Sequence, residues 1–355
     1  MRKTKRVAAL ALTASLFVVA ACGSDDSEAT TTDAPAASTA DSTAPAPAGG
    51  KAGIAYDTGG RGDGTFNDSA AAGADKAKAE LGFTIDELEA TSDEDRTPNL
   101  ETLTANGDNP IIAVGFLFSD ALAAIAPKNP DTTYAIVDGY VDPAVAPNVA
   151  NLGFAEEQGS FLVGAAAALK SKTGYIGFIG GQEIDLIKKF EAGYIAGAKS
   201  INPDIKIESK YLGAAGDNAA WGSPDKAKEI AAGWYADGAD IIYTAAGGSG
   251  AGTIEAAVEA DAWAIGVDSD QYLTASSEDA KKHILTSMLK RVDVAVFETI
   301  KSVQDTGKAS SKAFDLSVDG VGYATSGGYI DDIVPQLEAL KADIISGKIV
   351  VPTKP

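Results

Sequence analysis

The chain has 355 residues, 50 acidic against 29 basic side chains, a formal net charge of −21, one histidine and one cysteine. Such a field repels nucleic acid and anionic lipid headgroups, and it argues against a highly anionic ligand such as a dinucleotide. A single thiol excludes an internal disulfide, and without Cys or His clusters no metal site is expected.

The first residues are Met1-Arg-Lys-Thr-Lys-Arg6, followed by an apolar run Val7–Ala20 and then Ala21-Cys22-Gly23. The four positive charges hold the start of the segment at the cytoplasmic face. The apolar run is shorter than the roughly 20 residues of a spanning helix. Small residues at 20 and 21 suit a peptidase pocket, and the Cys22 thiol is placed to carry a lipid. An ordinary secretory signal with a chance cysteine is the alternative. Residues 1–21 therefore read as a lipoprotein signal peptide. From Gly23 to Gly50 there are five acids, no base and no aliphatic residue larger than Ala. That composition cannot build a core, so residues 22–50 are predicted as a lipid-anchored disordered linker. The folded body is expected at the membrane, on its extracytoplasmic face.

From Lys51 onward, short β-branched or aromatic runs alternate with Ala-rich amphipathic stretches. The expected series is strand Gly53–Tyr56, helix Ser69–Leu81, strand Phe83–Leu88, helix Pro98–Ala105, strand Ile111–Val114, helix Asp120–Ile125, then strands Tyr134–Val137 and Val149–Leu152. The grammar restarts with helix Glu156–Leu169, strand Tyr175–Ile179, helix Glu183–Ser200 and strand Lys206–Tyr211. A helix opened by Ser223-Pro224-Asp225, strand Ile241–Thr244, helix Thr253–Glu259 and strand Ala264–Val267 continue it. Strand Ile284–Ser287, helix Val292–Val303, a single strand Phe314–Val321 and helix Asp331–Ile345 close the chain. The fold class is α/β: two doubly wound parallel-sheet lobes joined by a hinge of several crossovers. The first lobe is expected over 51–153 plus about 283–312, the second over 154–282 plus about 313–355.

In open parallel sheets ligands bind beyond the carboxyl ends of the strands. Asp57, Asp138, Gly180, Gly247 and Asp268 each follow an apolar strand directly. Any one of them could stand there because Asp and Gly turn well, but recurrence in both halves points to a shared cleft. The loop Asp57-Thr-Gly-Gly-Arg-Gly-Asp-Gly-Thr-Phe-Asn-Asp68 is the richest. Phe66 suits stacking on a planar ligand and Asn67 offers both donor and acceptor to a heterocycle edge. The plainer alternative makes Phe66 a staple residue and Asn67 or Asp68 the helix cap.

Several segments, in order, resemble the basic membrane protein family of lipoproteins, the PnrA-like purine-nucleoside-binding components of ATP-binding-cassette importers. They are Gly64-Thr-Phe-Asn-Asp-Ser69, Val114-Gly-Phe-Leu-Phe-Ser-Asp-Ala-Leu122, Lys188-Lys-Phe-Glu-Ala-Gly193, Ala246-Gly-Gly-Ser-Gly-Ala-Gly252, Ile265-Gly-Val-Asp-Ser-Asp-Gln271 and Leu285-Thr-Ser-Met-Leu-Lys290. The resemblance spans nearly all of Lys51–Pro355 and implies a type I periplasmic-binding-protein fold. It implies Phe66 stacking on the purine, with Asn67 or Asp57 bonding its edge and Asp138 as a further contact. Asp268 and Lys290 would hold the ribose, unless they form only an ion pair. Tyr243 fits the spacing of the second stacking ring, with Trp221 as rival, and Gly248 would bring backbone amides near the ligand. The implied partners are a purine nucleoside, an ABC permease and the membrane through a lipid on Cys22. A monomer is expected, with no nucleic acid and no cofactor.

Catalysis has a thin inventory. His283, the one histidine, reads as a surface residue, and Ser249 is not in a G-x-S-x-G elbow because residue 251 is Ala. Gly248-Ser-Gly-Ala-Gly252 imitates a dinucleotide fingerprint but lacks its full register. A binding protein rather than an enzyme is expected, with a sugar or autoinducer receptor of the same architecture, or a surface antigen, as the competing readings.

Overall fold

The computed structural model describes residues 49–355. The expected signal peptide, the lipid-carrying Cys22 and the linker up to residue 48 lie outside the described residues. The first series is β1 (Lys51–Tyr56), α1 (Phe66–Leu81), β2 (Thr84–Glu89), α2 (Arg96–Ala105), β3 (Ile111–Val114), α3 (Ser119–Ile125), β4 (Tyr134–Val137) and β5 (Val149–Phe154). The second is α4 (Glu156–Lys170), β6 (Tyr175–Gln182), α5 (Asp185–Ile201), β7 (Lys206–Gly213), α6 (Pro224–Ala236), β8 (Ile241–Ala245), α7 (Gly250–Ala260) and β9 (Trp263–Asp268). Two single turns, α8 (Gln271–Thr274) and α9 (Glu278–Lys281), lead to β10 (Ile284–Lys290). The chain ends with α10 (Val292–Thr306), β11 (Lys312–Phe314), β12 (Val321–Tyr323) and α11 (Val334–Ile345).

These elements build two six-stranded sheets, ordered β11-β5-β4-β3-β1-β2 and β12-β10-β9-β8-β6-β7. All pairs are parallel except β12 against β10. The central strands β3, β4 and β8 are buried at every position, because helices cover both faces of a parallel sheet. The edge strands β2 (TIDELE) and β7 (KIESKYLG) instead carry charges on their exposed positions, which blunts them against pairing with another chain. The result is the doubly wound α/β architecture in two lobes.

The chain crosses between lobes three times: at Ala155, at Arg291, and over Asp315–Gly320. This corrects two expectations. Residues 284–290, assigned to the first lobe, form β10 of the second sheet, hydrogen-bonded between β9 and β12. Only α10, packed on α1, returns to the first lobe, with β11 pairing β5. The single strand expected over Phe314–Val321 is two short strands in different sheets. Asp315 accepts from Ser317 N and Asp319 takes a positive φ of 50°, so the run turns and crosses the hinge instead of extending.

Helices α4 and α5 pack at backbone distance and carry several side chains of the cleft. A Cβ added to Gly197 would sit 1.9 Å from the Phe161 carbonyl oxygen, so only glycine allows this approach. Gly197→Ala is expected to lower stability by about 1–3 kcal/mol through overpacking. The exposed Gly233 of α6 has open space around its Cβ position, and Gly233→Ala should leave the melting temperature unchanged or raise it. Thermal melts of the two variants against wild type check this.

Candidate functional site

At the carboxyl ends of both sheets, where the lobes meet, lies a cavity of about 310 Å³. That volume is at the lower end of the range of roughly 300–1,000 Å³ for small-molecule sites. Its first-lobe wall is the loop after β1. Asp63 organises this loop: Oδ1 accepts from Thr65 N (2.9 Å) and Asp68 N (3.1 Å), and Oδ2 accepts from Asn67 N (2.9 Å) and Asn67 Nδ2 (3.1 Å). The cap that the plainer alternative gave to Asn67 or Asp68 is supplied by Asp63. Burial pushes the Asp63 carboxyl above its usual range, against these hydrogen bonds. Phe66 begins α1 and, with Asn67, lines the cavity; the Asn67 Oδ1 is buried with no donor.

Asp57, at the end of β1, also lines the cavity. Its Oδ1 accepts from Arg96 Nη2 at 2.7 Å, Arg96 Nε at 3.2 Å and Thr58 N at 2.7 Å. The buried Arg96 also donates through Nη1 to Asp93 Oδ1 at 2.7 Å, and that oxygen accepts from Asn218 Nδ2 of the second lobe at 2.8 Å. On another part of the rim, Ser269 Oγ of the second lobe donates to the Thr65 carbonyl at 2.7 Å. The lobes are thus bonded to each other around the cavity.

The floor is a buried charge cluster. Lys290, ending β10, donates to Asp138 Oδ2 of the first lobe at 2.5 Å and lies 3.1 Å from Glu156 Oε1 at the start of α4. Glu156 also accepts from Lys189 of α5. The Lys290 ammonium sits 5.4, 5.0 and 5.5 Å from the ring centroids of Phe66, Phe154 and Phe190, within cation–π range. Asp138 and Asp268 end β4 and β9, in opposite lobes, with positive φ of 62° and 64°. Such a backbone is uncommon for a non-glycine residue and tends to mark functional sites. One oxygen of each, Oδ1, is buried without a partner. The ion pair that was the alternative for Asp268 and Lys290 is not formed: the ammonium is taken by Asp138 and Glu156.

Seven of the eight residues to which the resemblance gave ligand contacts line this cavity: Asp57, Phe66, Asn67, Asp138, Gly248, Asp268 and Lys290; Gly180, expected just beyond a strand end, lies inside β6 and is not among the lining residues. The eighth, Tyr243, does not line it either. It lies mid-strand in β8, fully buried, with its ring 5.6 Å from Phe178 and 5.3 Å from Tyr194, and its hydroxyl 3.4 Å from Ser160 Oγ. Side chains within a strand point perpendicular to the sheet, and in this segment only the last strand residue and those after it, Ala245–Gly248, reach the cavity. Trp221, the rival, does line it, with its ring 6.4 Å from Phe116 of the first lobe in an edge-on arrangement. Gly181 makes room for that indole: a Cβ there would be 2.2 Å from Trp221 Cζ3.

Sequence reasoning missed Phe116, Phe190, Arg96 and Glu156. Phe116 follows the strand-ending Gly115 and was accessible by the strand-end rule. Phe190 sits inside Lys188-Lys-Phe-Glu-Ala-Gly193 but on a helix, where an aromatic reads as core. His283 is half-buried, with Nδ1 2.8 Å from the Ala262 carbonyl oxygen, and is not among the cavity residues. Among the described residues no group of three or more His, Cys, Asp or Glu side chains is arranged to hold a metal ion, and no helix is long and apolar enough to cross a membrane.

Residues 51–355 match the family model described as ABC transporter substrate-binding protein PnrA-like. The ABC transporter nucleoside-binding protein BmpA of Lactococcus lactis subsp. cremoris is 36% identical over 379 residues, covering 98% of each chain. The CD4+ T-cell-stimulating antigen of Listeria innocua is 34% identical over 375 residues, covering 99% of each. Among solved structures, an ABC transporter solute-binding protein from Aeropyrum pernix K1 superposes with a TM-score of 0.74 at 28% identity, covering 85% of this chain and 93% of that one.

The cluster holds more carboxyl groups than its central ammonium can neutralise. Burial pulls Lys290 down, but Asp138, Glu156 and Asp268 more than offset it, and the net direction is up. Asp138 is raised by burial and by Glu156, against Lys290. Asp268 is the carboxyl left over: burial above all raises it to about 7, with Lys290 opposing and Asp138 adding. A carboxyl with a folded value near 7 and an unfolded value near 3.8 binds its proton more tightly when folded. Its contribution is most favourable below pH 4 and is lost as pH rises from about 4 to 7. Asp268→Asn should therefore gain stability over ligand-free wild type across that window, reaching a few kcal/mol above pH 7. Melts at pH 4.5 and 8 check this; an equal difference at both pH values would contradict it.

Proposed function

The chain belongs to the PnrA-like family of ABC transporter substrate-binding proteins, and on that premise we propose that its interlobe cavity captures a purine nucleoside. The family is one of extracytoplasmic solute-binding proteins, not enzymes. The observation that carries the nucleoside reading is the composition of the cavity: aromatic rings from both lobes beside a buried set of unpartnered oxygens. In this reading the base lies between Phe66 of the first lobe and Phe190 of the second, which share the Lys290 ammonium. Phe190 takes the part expected of Tyr243. Asp57 and Asn67 meet the base edge. Asp268 accepts from the vicinal ribose hydroxyls, relieving its orphaned oxygen, while Lys290 and Asp138 hold the sugar side. Gly248 brings backbone close to the ligand. The nucleoside-binding name of the Lactococcus relative supports the same assignment.

The ligand joins the lobes, and the closed form presents their shared surface to a membrane permease. Lipidation of Cys22 would tether the protein beside that permease as a monomer. A surplus of carboxylates, with no free cation among the described residues that line the cavity, disfavours phosphate, so nucleosides are accepted and nucleotides refused.

Calorimetry with inosine, adenosine, guanosine, cytidine, ribose and guanosine 5′-monophosphate tests the reading. Purine nucleosides are expected to bind, with ribose and the monophosphate at least a hundredfold weaker. Binding of ribose or another sugar with silence toward nucleosides would favour a sugar receptor instead. Phe66→Ala should weaken nucleoside binding about tenfold or more, since stacking on one ring contributes about 1–3 kcal/mol. Cys22→Ser should release the protein from the membrane fraction.

A further inference from the structure

The hinge crossings follow β5, follow β10 and join β11 to β12, and these four strands lie at one edge of the two sheets. The opposite edges are β2 and β7, each four strands away from β5 or β10. With neighbouring strands about 4.8 Å apart, that is a lever of about 19 Å, and a rotation of about 10° at the hinge would part the loops after β2 and β7 by about 3 Å. The hydrogen bond from Asn218 Nδ2 to Asp93 Oδ1, at 2.8 Å, joins those two loops.

Buried groups fix both ends of this bond. In the second lobe, Gly216 N donates to Gln182 Oε1 at 2.9 Å, so Gln182, buried at the end of β6, has its Nε2 to give. Nε2 donates to Asn218 Oδ1 at 2.9 Å, which leaves the Asn218 nitrogen for Asp93. In the first lobe, the buried Arg96 guanidinium donates through Nη1 to Asp93 Oδ1 and through Nε and Nη2 to Asp57 Oδ1 in the cavity wall. Its planar fork holds both carboxylates in one geometry, which a lysine ammonium on a flexible stem does not.

Resting on the nucleoside reading of the cavity, we propose that the Asp93–Asn218 bond is a latch that keeps the lobes shut over a captured solute, and that Arg96 is the positioning residue that ties this latch to the cavity wall through Asp57. The latch forms after the solute has entered, so it governs release and not entry. A hydrogen bond to a charged group changes such an equilibrium by about tenfold to a hundredfold.

The bond can be broken and then rebuilt in reverse. In Asn218→Asp, Gln182 still donates to one carboxylate oxygen while the other confronts Asp93 and repels it. Adding Asp93→Asn turns the pair around: the amide oxygen introduced at position 93 accepts from Arg96, and the amide nitrogen donates across the mouth to the carboxylate introduced at position 218.

Stopped-flow mixing of the full folded protein with inosine, followed by tryptophan fluorescence, is the test, since Trp221 lines the cavity. Asn218→Asp is expected to raise the dissociation rate constant about tenfold or more and to leave the association rate constant within about twofold. The double variant is expected to return dissociation to within about threefold of wild type, a rescue that a merely structural role would not produce. Arg96→Lys should speed release as Asn218→Asp does, and the two combined should add little further. Thermal melts confirm folding; if Asn218→Asp does not fold, Asn218→Ala, which removes the donor without adding charge, takes its place. A folded variant at position 218 with unchanged dissociation overturns the proposal, and so does a double variant that releases as fast as Asn218→Asp. Silence of wild type toward inosine overturns the nucleoside reading instead. X-ray scattering of the free protein then decides the latch: Asn218→Asp should enlarge the radius of gyration and the double variant restore it, and equal radii overturn it.

Discussion

The arrangement of the site turns on one buried ammonium. Lys290 comes from the end of a second-lobe strand, reaches Asp138 at the end of a first-lobe strand, and shares Glu156 at the start of α4. All three lie within a few residues of a strand end or a hinge crossing, so the contact fixes how the lobes face each other. Removing one member of a fully buried ion cluster leaves uncompensated charge and typically costs about 3–5 kcal/mol. The rings of Phe66, Phe154 and Phe190 around the ammonium add cation–π attraction and keep water away.

That ammonium is outnumbered by carboxyl groups, and the imbalance gives the cavity its chemical character. Asp138 and Asp268 stand in left-handed backbone conformations, line the cavity, and each keeps one buried oxygen without a partner. A structure optimised for stability alone would not keep such groups buried. A neutral, donor-rich molecule filling the cavity would compensate them. The rim contacts Asn218–Asp93 and Ser269–Thr65 join the two lobes around the same cavity.

Much of this was legible in the sequence. The apolar run Ile111–Val114 and the β-branched and aromatic run Ile241–Thr244 read as strands of a parallel sheet, and both are central in their sheets. Acidic residues at strand ends located the cleft, because the doubly wound fold exposes those ends. What failed depended on partners distant in the chain. Tyr243 was the right distance from a strand end, but its side-chain direction was set by the core formed with Phe178 and Tyr194. The role of Glu156 rested on Lys290 and Lys189 meeting it in space. The terminal run Phe314–Val321 read as continuous, yet the turn at Asp315–Gly320 sends its halves to different sheets.

That last turn bears on how the molecule is made. The outermost strands β11 and β12 complete the two sheets from within a dozen residues of each other, close to the carboxyl end. A chain made amino end first therefore has neither sheet complete until these two strands have arrived. Until then β5 and β10 are bare edges open to mispairing. The crevice takes its final form only once both short strands have docked, and loss of the residues from Lys312 onward would damage both halves at once.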